Sequence, residues 1–240
     1  MWYNELMAGE QAQVARASWR ARLALRAFDI LYHNVALYWL ASTIPFGGRW
    51  RVWQRLVLSR LHGRDVLEVG CGPGWLLNDM INAGYQCQAI DASPQMVVAA
   101  RNTLRRHGVA DSVDIVSQAR AQQLPFADAS FDSVVSTFPA PYIADVATTR
   151  EIARVLRPGG LLIVVAGANL LPCGPLLWVL VQIARLVYGR SDLIHSPGET
   201  ELQALLKYMP MTAAGLIPVY EAESGSCWRA YIAIGTKSEE

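Results

Sequence analysis

Val66-Leu67-Glu68-Val69-Gly70-Cys71-Gly72-Pro73-Gly74 is an apolar run with one acid that opens directly into three alternating glycines. The run is short, rich in β-branched residues and carries its carboxylate next to the turn, as a buried parallel strand entering a site does. Glycines at 70, 72 and 74 leave no side chain between the backbone and a bound group. A ligand can therefore approach the turn and the helix predicted to follow it, from Trp75 to Ala83. Glycine-rich strand-to-helix turns hold nucleotides, because amides of the turn and of the helix N-terminus face the ligand.

The spacing separates two ligand classes. A dinucleotide fingerprint reads G-x-G-x-x-G and places a diphosphate on the helix N-terminus. Here the third glycine comes one residue early, and Glu68 stands where it repels a diphosphate but suits an ammonium group. The pattern E-x-G-x-G-x-G resembles the first motif of the class I S-adenosylmethionine-dependent methyltransferases. A tight glycine turn without a ligand is the plain alternative.

Further matches follow in order. Tyr85 to Ile90 reads as a second strand ending in Asp91, where a carboxylate can accept both ribose hydroxyls. Asp91-Ala92-Ser93-Pro94-Gln95-Met96 opens a helix, with Ser93 as N-cap and Pro94 at the first helical position. Asp91, Ser93 and Met96 match the family's D-x-S-x-x-M pattern. Leu124-Pro125-Phe126 through Phe131-Asp132 resembles the lead into the fourth strand, expected at Ser133 to Ser136, and Arg154-Val155-Leu156-Arg157-Pro158-Gly159-Gly160 resembles the turn before the fifth, expected at Leu161 to Ala166. The resemblance is nearest to the ubiquinone and menaquinone biosynthesis methyltransferases. It implies an α/β, Rossmann-like sheet of seven mostly parallel strands in the order 3-2-1-4-5-7-6, closed by an antiparallel hairpin near Ile217 to Tyr220 and Trp228 to Ile234. It also implies S-adenosyl-L-methionine as cofactor, with Glu68, Gly70, Cys71, Gly72, Gly74, Asp91, Ala92, Met96, Arg120, Ala121 and Ser136 around it.

Two departures bear on the site. Where the family carries an acid that accepts the adenine amino group, this chain has Arg120, followed by Ala121-Gln122-Gln123. Arginine donates and does not accept, so backbone groups or Gln122 must read the base while Arg120 stacks on its face. After the fourth strand the family's paired histidines are replaced by Pro139-Ala140-Pro141-Tyr142. A cofactor-binding relative without activity therefore stands beside the methyltransferase reading, and a nicotinamide-dependent oxidoreductase stands behind both.

A length of 240 residues suits one large core. The expected division is an N-terminal helical extension over 1–60 and a methyltransferase domain over 61–240. The four cysteines show no C-x-x-C pairing and read as reduced thiols, with neither a metal site nor a disulfide framework. A net charge of +1 argues against nucleic acid as a partner. Met1 to Glu5 shows no secretory pattern, so the expected location is cytoplasmic.

The charge is unevenly spread. Residues 1–65 carry nine arginines against four acids. Arg16, Arg20, Arg22 and Arg26 fall on one arc of a helix, opposite Val14, Ala17, Ala21, Leu25 and Phe28. Such a helix either packs on the domain with a solvated arginine face or lies peripherally on an anionic membrane surface. Phe28-Asp29, Tyr32 and Trp50-Arg51 with Trp53 resemble the region that precedes the first motif in quinone and phospholipid methyltransferases. There the extension covers the cofactor, which makes Tyr32 a cofactor candidate; a core aromatic is the other reading.

A hydrophobic lid insertion is expected over about 168–198. Leu176 through Tyr188 is polar only at Gln182 and Arg185. As a helix it spans about 20 Å, short of the ~30 Å hydrocarbon layer, so it is buried, interfacial or lines an apolar pocket. A mean hydropathy of +0.20 suits a hydrophobic small-molecule substrate. Ser196, Pro197 and Glu199 make a capping box for the next helix, with His195 just before it. Methyl transfer to a hydroxyl or carbon acid needs a proton acceptor. The catalytic candidates are His195 and His33, then Tyr142, with Asp145 after them.

Overall fold

The computed structural model describes residues 46–109, 112–139, 141–171, 173–175, 178–179 and 210–239. Tyr32, His33, His195, the basic helix, the capping box at Ser196 and most of the lid lie outside these residues. The described chain runs α1 (Trp50–Gln54), β1 (Asp65–Val69), α2 (Trp75–Asn82), β2 (Gln86–Asp91), α3 (Pro94–Arg106), α4 (Ser112–Ile115), β3 (Val116–Gln118), β4 (Phe131–Thr137), α5 (Val146–Val155), β5 (Leu156–Leu170), β6 (Leu216–Gly225) and β7 (Trp228–Lys237).

These strands form one sheet in the order β3-β2-β1-β4-β5-β7-β6. Neighbours from β3 to β5 pair parallel, and β7 runs antiparallel between β5 and β6. Both faces are covered. One buries Leu67, Val69, Val134, Leu162 and Val164 under Ile152, Ala153 and Val155 of α5. The other buries Val66, Val135, Ile163 and Val165 under Leu76, Leu77 and Met80 of α2 and Val97, Ala100 and Leu104 of α3. The central strands are apolar at successive positions because parallel strands with helices on both faces have no wet side.

Four strands run beyond the sequence expectation. β4 begins at Phe131, where Leu156 pairs with it before Arg157–Gly160 bulges out and pairing resumes at Ser133 and Leu161. The bulge needs its glycines: Gly159 has φ +75°, and a Cβ on Gly160 would stand 2.8 Å from the Arg157 carbonyl oxygen. Arg157 then clamps the lower ends of β1 and β4, its Nη1 donating to Asp65 at 2.7 Å and Asp132 at 2.6 Å. β5, β6 and β7 run longer because they continue beyond β4 as an arm, paired up to Leu170 with Trp228 and Gly225 with Trp228 across a two-residue turn. Residues 168–170, expected in the lid, are thus strand: ladder pairing to Trp228–Ala230 satisfies their backbone groups.

Short α1 lies on this arm. Trp53 is fully buried against Ala168, Leu170 and Ala230. Trp50 stacks on Phe138, just beyond β4, at 4.0 Å between ring centroids. Phe46 and Trp228 complete the cluster, each edge- or tilt-packed against Trp53. At the start of α3, Ser93 accepts from the Met96 amide at 3.4 Å, and Pro94 occupies the first helical position. Because that bond is long, Ser93→Ala is expected to cost about 0.5–1 kcal/mol, read as a lower urea midpoint with an unchanged slope. No helix among the described residues is long and apolar enough to cross a membrane.

Candidate cofactor site

The glycine turn sits at the carboxyl edge of the sheet, between the ends of β1 and β2. Gly70 and Cys71 donate their amides to the Ile90 carbonyl at 2.9 and 3.1 Å, which locks the turn onto β2. Gly70, Gly72 and Gly74 all have positive φ, +76°, +51° and +76°. Close approach adds a second reason at two of them: a Cβ on Gly70 would meet the Tyr142 hydroxyl at 2.5 Å, and one on Gly74 would meet the Ala100 backbone at 2.9 Å. The turn is therefore bare by necessity and pressed against its supports.

Asp91 holds the turn from the other side. One carboxylate oxygen accepts the Gly72 amide at 2.8 Å and the other accepts the Ser93 amide at 2.8 Å. Each oxygen keeps a second lone-pair site for a hydroxyl donor. Burial raises the Asp91 carboxyl above its usual range, against the lowering effect of the Ser93 and Gly72 amides. Ala92 accepts from Gln118 through its carbonyl, and the Met96 side chain is buried.

Glu68 lies beneath the turn with 1% exposure, and its Oε2 has no hydrogen-bond partner. Burial, and next the charge of Asp91, push its carboxyl well above the usual range, while Arg51 and the Leu77 amide oppose. Cys71 is buried too, and burial lifts its thiol well above its ordinary value. That is the wrong direction for a nucleophile.

On the β4 side, Ser136 and Tyr142 converge on one acceptor. The Ser136 hydroxyl donates to the Val69 carbonyl at 2.9 Å, and the Tyr142 hydroxyl reaches the same oxygen at 3.2 Å. The two hydroxyls stand 3.0 Å apart. Tyr142, a catalytic candidate, is thus placed beside Gly70 with its hydroxyl engaged by the backbone. Asp145 serves α5 as N-cap, accepting the Ala147 amide at 2.9 Å, and Gln122 donates to its other oxygen at 3.3 Å. Where the adenine was expected to be read, Arg120 and Gln123 form a tight turn beyond β3, and Ala121 is buried.

The structure brings together Glu68, Gly70, Cys71, Gly72, Gly74, Asp91, Ser136 and Tyr142. It adds Arg51, which sequence reasoning left without a role. Arg51 Nη2 donates to Asp79 of α2 at 2.6 Å, and its guanidinium lies 5.9 Å from the Trp75 ring centroid. The available signal was its place in the Trp50-Arg51 motif region.

A doubly wound sheet whose first strand ends in a bare turn over a buried carboxylate with one oxygen unpartnered, and whose second ends in a two-point aspartate, defines a class I adenosyl-cofactor protein. The methyltransferase-domain family model matches residues 67–164. The ubiquinone/menaquinone biosynthesis C-methyltransferase UbiE of Hahella chejuensis is 34% identical over 165 residues, 66% of this chain and 64% of that one. The chain therefore spans just under two thirds of that relative's length. The corresponding enzyme of Pectobacterium carotovorum is 30% identical, covering 66% of this chain and 67% of its own. Among solved structures, a geranyl diphosphate methyltransferase in complex with GPP and sinefungin shares the fold at TM-score 0.54 and 16% identity, over 78% of each chain. The chain belongs to the class I S-adenosylmethionine-dependent methyltransferases, in the UbiE-like family. The family's cofactor is S-adenosyl-L-methionine, and the donor set fits it: a buried acid for an ammonium, a bare turn for close approach, and lone pairs on Asp91 for hydroxyls. This membership sets aside the nicotinamide-dependent reading, as the glycine spacing and Glu68 require.

Proposed function

We propose that this chain transfers a methyl group from S-adenosylmethionine to an apolar, ring-bearing small molecule of the quinone-precursor or lipid type. The observation that carries the acceptor class is the aromatic cluster of Phe46, Trp50, Trp53, Phe138 and Trp228. Phe138 follows β4 directly, so this cluster borders the edge of the sheet where Ser136 and Tyr142 meet the glycine turn. Trp53 is buried within the cluster, whereas Phe46, Trp50, Phe138 and Trp228 stay partly exposed; flat apolar acceptors stack on such rings, and charged ones lose hydration there without recompense. Exposed Trp178 and Val179 at the start of the insertion add apolar surface. The names of the UbiE relatives point the same way.

When bound, the cofactor supplies a methyl group already activated on a sulfonium. The chain's part is then to orient and exclude water, and orientation yields much of the rate in such a displacement. Glu68 and Asp91 fix the two polar ends, and the bare turn lets the chain between them lie close to the backbone. The Tyr142 hydroxyl points at the Val69 carbonyl. It is assigned to shaping the turn, and proton uptake is left to His195 and His33. The basic segment before residue 46 is the part we assign to an anionic membrane surface.

The deciding experiment incubates the full chain with methyl-labelled S-adenosylmethionine and a fractionated lipid and small-molecule extract, followed by mass analysis. The expected product is an apolar molecule heavier by one methyl group. Label confined to polar fractions would overturn the acceptor class. Tight adenosylhomocysteine binding without transfer into any fraction would favour the inactive relative, for which Arg120 is the sequence argument.

A further inference from the structure

The fold sorts the four cysteines into two kinds. Cys71 and Cys87 are buried, and burial lifts both thiols, that of Cys87 to about 12. Neither is open to a reagent. Cys173 is exposed and Cys227 half-buried. These two are far apart in the chain, yet the sheet carries them to one place.

The backbone makes the approach. β5 and β7 pair as far as Leu170 with Trp228, and one step further the Leu171 amide donates to the Cys227 carbonyl at 2.8 Å. The Cys173 amide then donates back to the Leu171 carbonyl at 2.8 Å, a three-residue turn that keeps the chain against the tip of the β6–β7 hairpin. From there the Cys173 thiol donates to the Ser226 carbonyl at 3.2 Å. That carbonyl belongs to the planar unit leading into Cys227, so the Cys173 sulfur stands one peptide away from the Cys227 Cα. The two thiols are in hydrogen-bond contact, which raises that of Cys173 above its ordinary value, while the Arg49 guanidinium at the head of α1 opposes. The tip itself is supported: Trp228, next to Cys227, packs edge-on against buried Trp53 at 6.4 Å between ring centroids.

We propose that Cys173 and Cys227 form a dithiol site for low-molecular-weight disulfides such as oxidised glutathione, which convert the pair reversibly into an intrachain disulfide. One protein thiolate attacks the glutathione disulfide, making a mixed disulfide and releasing one glutathione thiolate. The other protein thiolate attacks the protein-side sulfur, closes the internal bond and releases the second. The two protein thiols lose two electrons and two protons, and two glutathione thiols gain them. The bond ties the segment after β5 to the hairpin turn, beside the aromatic cluster. An exposed bond of this kind is labile, which suits a redox-responsive link and not a permanent staple.

The test exposes the reduced, folded full chain to excess oxidised glutathione and follows it by thiol titration, intact mass and peptide mapping. Two of the four thiols are expected to disappear, with a mass lower by two hydrogens and one cross-linked peptide pair joining Cys173 to Cys227. Excess reduced glutathione is expected to restore all four. In Cys227→Ser the second step has no thiolate, so Cys173 is expected to retain one glutathione. The oxidised wild type is expected to unfold at higher urea than the reduced form, because residues 173–227 are closed into a loop in the unfolded chain. Stable glutathione adducts on the wild type without an internal link, a link that includes Cys71 or Cys87 or a second chain, or thiols left untouched would each overturn the proposal. So would a link that reduced glutathione leaves intact, or an oxidised chain with a lower urea midpoint. If the serine variant does not fold, the wild-type map and its reversal decide.

Discussion

Asp91→Ala is expected to weaken S-adenosylhomocysteine binding by roughly 10³-fold, because it removes two charge-assisted acceptors at once, each worth about 1.5–3 kcal/mol. One of the two jobs is structural and visible: the carboxylate accepts the Gly72 and Ser93 amides and so joins the turn to the start of α3. The other is the proposed grip on the ribose hydroxyls through the remaining lone pairs. Without ligand, loss of the two amide bonds is expected to lower stability by about 2–3 kcal/mol, a large share of a typical domain's total but compatible with a folded chain. Asp91→Asn separates the jobs. Its one oxygen still accepts, so it recovers part of the stability, whereas the amide nitrogen faces either a backbone N–H or a hydroxyl proton and repels both. Calorimetry on both variants, with urea unfolding beside it, reads the two losses separately. Stability lost in full with affinity retained would remove Asp91 from the cofactor site and leave it as a turn clamp.

How far the sequence carried this site depends on whether the interacting residues are neighbours in the chain. The glycine turn and Ser93 and Pro94 at the head of α3 act within a few residues of themselves, and their local pattern was enough to place them; Arg157–Gly160, expected from the resemblance as a turn ahead of β5, lies inside that strand as a bulge. Asp91 is intermediate: its position at the end of β2 was readable, its bonds to both Gly72 and Ser93 were not. β3 is only three residues long and carries too little pattern to register. The convergence of Ser136 and Tyr142 on Val69 joins positions 67 and 73 residues apart, and Arg51 meets Asp79 across 28. Such pairings arise from the strand order and the course of α1 over the arm. The length of β5 was hidden for a related reason, since Ala168–Leu170 read as a greasy insertion until β7 supplies its ladder partners.

Glu68→Gln is expected to separate fold stability from cofactor affinity in opposite directions. The unfolded chain releases the Glu68 proton near 4.5, whereas in the folded chain burial, then the negative charge of Asp91, hold it well above that, with Arg51 pulling the other way. Between the two values the native state keeps a proton that the unfolded state has lost, so native stability falls as pH rises through that window. Glutamine has no proton to lose and escapes the decline. The ligand-free variant is therefore expected to match the wild type near pH 4.5 and to equal or exceed it at pH 7 and 8, read as urea midpoints. Binding runs the other way. The cofactor's ammonium favours the ionised carboxylate, so wild-type affinity for S-adenosylhomocysteine is expected to climb with pH until the ligand's own amino group deprotonates. The variant offers a neutral amide where a buried ion pair would form, and is expected to bind about 100-fold or more weakly, with the rising limb gone. A variant that is less stable at pH 7 yet binds with an unchanged pH profile would make Glu68 a structural acid of β1 and remove it from the cofactor site.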